Sequence, residues 1–117
     1  MSDKKEEIRK LGIISNEELK KLKLKHGDVF TLSVLFEEKD TKEVVELFGY
    51  LRKPERFETG MSLAIMDSNP IKAKELILEK TWLAGDDRIK TDDDAFYSAI
   101  LALDGFIEIR MASLKKN

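Results

Sequence analysis

Five aspartates lie close together: Asp86, Asp87, Asp92, Asp93 and Asp94. Of all the side chains in this sequence, these are the ones whose type and spacing most suggest chemistry. Carboxylate oxygens bind hard cations such as calcium or magnesium. The spacing is not that of a calcium-binding helix-loop-helix, which needs ligands at alternate positions, a central glycine and a closing glutamate. Helix capping accounts for Asp92, Asp93 and Asp94 without a metal, because a carboxylate is favoured beside the first, unpaired N–H groups of a helix. The sequence therefore favours a solvated loop followed by a capped helix. A divalent-metal-binding protein using the region 86–94 stands as an alternative.

The remaining candidates point away from catalysis. His26 is the only histidine, and a triad or metal site would need partners that nothing in the sequence picks out. Beside Gly27, at the end of a helix, its imidazolium would be mildly favourable. The serines sit in no nucleophile elbow, and no Gly-rich phosphate loop occurs. With no cysteine, disulfides, thiolate catalysis and Cys-based zinc sites are excluded. We expect no enzyme and no cofactor. Arg52, Lys53 and Arg56 form the clearest cationic cluster, able to meet a phosphate or an acidic partner, although ordinary surface charge also explains them. Phe48, Tyr50 and Trp82 carry the aromatic area that anchors interfaces, though such residues more often pack a core.

Those residues must be positioned by an α+β arrangement: an N-terminal helix, an antiparallel β-hairpin, then three helices packed on the sheet. Residues 1–14 read as a charged, partly flexible N-terminal segment, frayed or weakly helical, and 15–117 as a single α+β domain. Ser15 or Asn16 offers an N-cap ahead of Glu17 and Glu18, Leu19 and Leu22, which Leu24 could extend, make a narrow apolar stripe, and Gly27 is the stop. Val29 to Phe36 alternates, with Phe30, Leu32, Val34 and Phe36 on one face, while Leu35 breaks the polar face. Glu37 to Lys42 is a charged turn, and Val44 to Leu51 is the return strand. Its two faces, Val45, Leu47 and Leu51 against Val44, Phe48 and Tyr50, are both partly apolar. One face is expected to meet helices and the other a partner. Gly49 marks a bulge or a close approach.

After the hairpin the period becomes helical. Pro54 is placed as the first residue of a helix reaching about Met66, in which Gly60 calls for a packing reason or a bend. Asn69 and Pro70 start a second helix carrying Trp82 and Leu83 near its end, before Gly85. Gly85 to Lys90 is a loop, and Thr91 caps a last helix bearing Phe96, Ala99, Ile100, Leu103, Phe106 and Ile107, which Met111 and Leu114 could extend. Gly105 could interrupt it.

Composition narrows the function class. Lysine and arginine number 21 against 23 acidic residues, a balance that argues against a mainly electrostatic nucleic-acid binder. No apolar run approaches the roughly 20 residues that span a bilayer, and the charged start leads into no signal-peptide apolar region. A cytoplasmic protein with no membrane partner is expected.

One family shares the order of these features. A Lys-rich helix leads to Lys25-His26-Gly27-Asp28-Val29-Phe30. Then come Gly49-Tyr50-Leu51-Arg52-Lys53-Pro54, Asn69-Pro70-Ile71-Lys72, Trp82-Leu83-Ala84-Gly85-Asp86 and Thr91-Asp92-Asp93-Asp94. Over residues 19–114 the chain resembles the small tail assembly chaperones encoded among the tail genes of long-tailed bacteriophages and prophages. The resemblance implies a non-enzymatic protein, in the host cytoplasm, that binds the tail tape-measure protein or other tail proteins during virion assembly and is able to form a homo-oligomer. A structural head–tail or tail-completion component is the alternative within the same setting. The family supplies no agreed site residues. On physical grounds Phe48, Tyr50, Arg52, Lys53, Arg56 and Trp82 are the candidate partner-binding set.

Overall fold

The structure, a computed structural model, describes residues 7–110, with side chains as far as Leu103. Among these residues the chain runs β1 (Arg9–Leu11), α1 (Asn16–His26), β2 (Val29–Glu37), β3 (Val44–Arg52), α2 (Arg56–Met66), α3 (Pro70–Thr81), β4 (Trp82–Gly85), α4 (Arg88–Thr91) and α5 (Asp93–Arg110). The α+β class and the central hairpin are as expected. The order differs, since a strand and not a helix comes first, and the sheet has four strands instead of two.

β2 and β3 pair antiparallel over their whole lengths, from Val29 opposite Arg52 to Glu37 opposite Val44. The other edge of β3 is shared. β1 lies parallel beside Val45 to Leu47, and β4 lies antiparallel beside Gly49 to Leu51. Arg9–Leu11 is thus a strand, neither frayed nor helical. Its only sequence signal would have been three residues long, too short for any period to show. An exposed fork from Arg9 to Glu43, with Nε and Nη2 donating to the two carboxylate oxygens at 3.0 and 2.9 Å, ties it to the start of β3. Residues 1–6 of the N-terminal segment lie outside the described residues.

Local chemistry sets the helix ends. The Glu18 N–H donates to Ser15 Oγ at 3.1 Å, Lys23, Lys25 and His26 occupy the last turn of α1, and Gly27 closes it at φ 84°. Asn69 caps α3 by accepting from the Lys72 N–H at 3.1 Å, with Pro70 as its first residue. Three boundaries differ from expectation. Pro54 lies two residues ahead of α2, which begins at Arg56; the Glu55 N–H donates to Glu58 Oε1 at 2.9 Å and supplies the start. α3 stops at Thr81, because Trp82 turns extended (ψ 129°) and enters the sheet as β4. Thr91 ends α4, and the cap of α5 is Asp92, whose Oδ1 accepts from the Ala95 N–H at 3.1 Å. α5 continues through Gly105 to Arg110. The contributions expected of Phe106, Ile107, Met111 and Leu114 fall beyond the described side chains.

The core lies on one face of the sheet. Leu32, Val34 and Phe36 of β2 and Val45, Leu47 and Leu51 of β3 are buried with Leu78, Ile89, Ala95, Ala99 and Leu103. Each large apolar side chain so removed from water contributes about 1.5–3 kcal/mol. Trp82 is half-buried against this cluster, and its ring crosses the sheet where Gly49 has no side chain. A Cβ at 49 would stand 2.7 Å from the six-membered ring, so the glycine expected to mark a close approach does so. Gly60 is different. It is exposed, helical and has nothing within 4 Å of a would-be Cβ, so no packing reason accounts for it. Gly60→Ala is expected to raise stability by about 0.5–1 kcal/mol, read as a later urea midpoint with an unchanged slope. Among the described residues no helix is long and apolar enough to cross a membrane.

Candidate protein-binding face

Strand alternation puts the even-numbered residues of β3 on the face opposite the core. The register sets Leu35 opposite Glu46 there, with Val44 and Phe48 as its diagonal neighbours. Diagonal pairs on one sheet face lie within reach of aromatic and long side chains. Leu35 is 60% exposed, Val44 is 45% exposed and Phe48 is half-buried. Thr31 and Ser33, both exposed, continue the face along β2. The result is a small apolar patch with one carboxylate, Glu46, among its members and Lys10 of β1 next to Glu46 in the ladder. Such a surface can cover an apolar stripe on another polypeptide, and its charged rim keeps it wet.

Two members of this patch stand outside the candidate partner-binding set. Leu35 is the residue that interrupts the polar side of β2, and Val44 opens the second apolar face of β3. Neither is aromatic or charged, which is why neither stands out when anchors are sought by residue type.

The residues singled out from the sequence are dispersed. Phe48 belongs to the patch. Tyr50, two residues on, is 5% exposed and offers little area. Arg52 is held as a structural clamp: Nη1 and Nη2 donate to the two oxygens of Glu58 at 2.9 and 2.7 Å, and Nη2 also donates to the Lys80 carbonyl at 2.7 Å. This fork, first, and the Glu55 N–H hold the Glu58 carboxyl below the usual carboxylate range against the opposing effect of burial. Lys53 and Arg56 are exposed, so the cationic cluster divides into one clamped and two solvated side chains. Trp82 is half-buried, with Lys90 Nζ 4.7 Å from its ring centroid, a cation–π contact. His26 is half-buried in the last turn of α1.

The aspartates do not converge. Asp86 accepts from Arg88 through Nε and Nη2, both at 3.1 Å, and through its backbone N–H at 3.0 Å, which holds its carboxyl below the ordinary range. Arg88 reaches on to Glu38 Oε1 at 3.0 Å and stacks 5.2 Å from the Phe36 ring centroid. Asp92 is the α5 cap. A hollow of about 370 Å³ lined by Asp92, Asp93 and Asp94 also contains Lys39 and Thr91, and the Lys39 ammonium lies 3.9 Å from Asp92 Oδ2. Among the described residues no three His, Cys, Asp or Glu side chains are grouped so as to hold a metal ion.

The chain matches no family model, no curated protein and no solved structure.

Proposed function

We propose that this protein acts by binding another polypeptide and transforms no substrate. The observation that carries the reading is the apolar patch of Leu35, Val44 and Phe48 on the face of the sheet turned away from the core. A monomer with a complete core gains nothing from leaving a leucine and a valine in water on adjacent strands, whereas a partner that covers them gains their transfer energy.

The resemblance to tail assembly chaperones supplies the client: the tape-measure protein, a long helical chain whose apolar stripes need cover before assembly. An amphipathic helix laid across the patch would place its apolar stripe over Leu35, Val44 and Phe48. Its polar side would stay in water beside Glu46 and Lys10.

Co-expression with the tape-measure protein tests this. The tagged wild-type chain is expected to retain the client, and Val44→Asp with Phe48→Ala to lose at least about tenfold of it, the loss of roughly one buried anchor. Far-UV circular dichroism of the variant should match the wild type. Full retention of client by a folded double variant would contradict the reading, as would a wild-type chain that retains none.

A further inference from the structure

None of the residues of α1 is buried, and only Leu19, Leu22 and His26, along one side of the helix, are half-buried. Leu24 does not extend that stripe. The exposed face carries Glu17, Lys20, Lys21 and Leu24, which are neighbours on a helix surface because they recur at spacings of three and four. Lys23 and Lys25 flank Leu24 in the chain, both exposed, and Leu24 itself is 88% exposed. A lone leucine in water carries no message. This one stands among four ammonium groups.

The helix's own electrostatics do not account for all of these lysines. Lys23 and Lys25 lie in the last turn, where the dipole favours cations. Lys20 and Lys21 precede that turn and gain nothing from it. Lys20 with Lys23 and Lys21 with Lys25 are like-charge neighbours, which weaken a helix. A helix of 11 residues that buries no side chain has little in reserve against that cost. The acidic residues on this stretch of chain are Glu17 and Glu18 in the first turn and Asp28 just beyond Gly27, all exposed. They do not neutralise the lysines: among the described residues Lys20, Lys21, Lys23 and Lys25 form no ion pair.

We propose that this face docks an acidic amphipathic segment of another protein, with carboxylates meeting Lys20, Lys21 and Lys25 and one large apolar side chain covering Leu24. The lysines set the sign of the occupant and the leucine sets its class. A nucleic-acid backbone would satisfy the ammonium groups and leave Leu24 in water, and α1 has no aromatic side chain on which a base could stack. A membrane-surface helix buries a whole apolar face, whereas Leu19 and Leu22 are on the half-buried side and Leu24 alone faces out. A polypeptide with acidic and apolar residues at helical spacing satisfies both requirements. The negative end of the α1 dipole lies at the same place. The occupant that fits is therefore the N-terminal half of a helix, where the dipole is positive and carboxylates are favoured. The proposal does not rest on the client assigned to the sheet patch.

Fluorescence anisotropy on the full chain tests it. The probe is a fluorescein-labelled helical peptide with glutamates through its first two turns and leucines along one face. The wild type is expected to bind it with a Kd below about 0.1 mM at low salt, and about tenfold more weakly in about 0.5 M salt. The same peptide with glutamine for glutamate should not bind. Lys20→Gln with Lys21→Gln should weaken binding by about tenfold and flatten its salt dependence. Glutamine matches lysine in helix propensity, so this variant should keep the wild-type thermal midpoint. Leu24→Ser should weaken binding by about tenfold and leave the salt dependence as it is. If Leu24→Ser loosens the helix, the lysine pair and the glutamine peptide decide. No binding by the wild type at about 1 mM peptide, or full affinity in the folded lysine variant, would overturn the proposal. So would tighter binding of a thymidine oligonucleotide or of phosphatidylserine vesicles than of the peptide. Leu35, Val44 and Phe48 are unchanged throughout, so loss of a client at the sheet patch is read separately.

Discussion

Gly85→Ala should destabilise the fold by about 3–5 kcal/mol and lower the thermal midpoint by about 10–20 °C. Gly85 ends β4 at φ 129°, a conformation open to glycine and strained for any residue with a Cβ. The surroundings are as restrictive as the torsion. A Cβ there would stand 2.4 Å from the Phe48 carbonyl oxygen and 2.6 Å from the Gly49 Cα. Both are backbone atoms of β3, so no side chain can swing aside. The strands would have to part at the Gly49–Gly85 pair, and the Asp86 N–H would lose its bond to the Phe48 oxygen, now 2.9 Å. Trp82 enters the core through the same short strand, so the damage should reach the packing over Gly49. Differential scanning calorimetry measures it, and a midpoint within a few degrees of wild type would show that β4 is not held as described.

The second large effect concerns the Arg52–Glu58 clamp at the C-terminal end of β3. Glu58→Gln keeps the size of the side chain and removes its charge. Arg52 then loses the carboxylate it forks onto and is joined to Lys80 and Lys53 only through carbonyl oxygens, with the more distant Glu55 as its remaining negative neighbour. Removing one member of a mostly buried pair leaves the other charge uncompensated, and a loss of about 3 kcal/mol is expected. Replacing both residues by apolar ones of like volume should cost much less, since no orphaned charge remains.

The same pair sets a pH dependence. The folded-state carboxyl of Glu58 is lowered, chiefly by the Arg52 hydrogen bonds. Its stabilisation is therefore complete above the unfolded-state value of about 4.3 and disappears as pH falls through the lower, folded-state value. Asp86, lowered by Arg88, acts in the same direction. Wild-type stability should fall steeply below about pH 4, and Glu58→Gln should show a shallower acid limb. Parallel acid limbs in the two proteins would mean that Glu58 is not held as its carboxylate.

Much of this architecture was written in side-chain periods. β2 and β3 are long enough for alternation to declare them, and Ser15, Gly27, Asn69 and Pro70 mark helix ends by chemistry that acts within one turn. β1 and β4 were illegible for a physical reason. Three or four residues carry no period, and both strands exist because β3 has a free edge to pair with, which is a tertiary fact. Trp82 shows the same limit, since helical spacing continues into it from α3 while pairing with Leu51 draws it into the sheet.

The candidate site was half legible. The second apolar face of β3 was visible in the sequence, but its neighbour on β2, Leu35, becomes part of it only through the register. Arg52 looked like one of three equivalent surface cations. Nothing in the sequence says that Glu58, six residues away, would meet it across the turn into α2. The aspartates looked most like chemistry, yet Asp86 is held by Arg88, Asp87 by Lys90 and Asp92 by capping and Lys39, while Asp93 and Asp94 lie in the first turn of α5.

The patch on the outer sheet face is the claim on which the functional account rests, and amide hydrogen exchange addresses it most directly. The chain would be measured alone and with the tape-measure protein. The account predicts slower exchange on binding over residues 33–48, centred on Leu35, Val44 and Phe48, with the 86–94 segment unchanged. Protection confined to 86–94 or to the α2–α3 pair, with β2 and β3 exchanging as in the free chain, would contradict it.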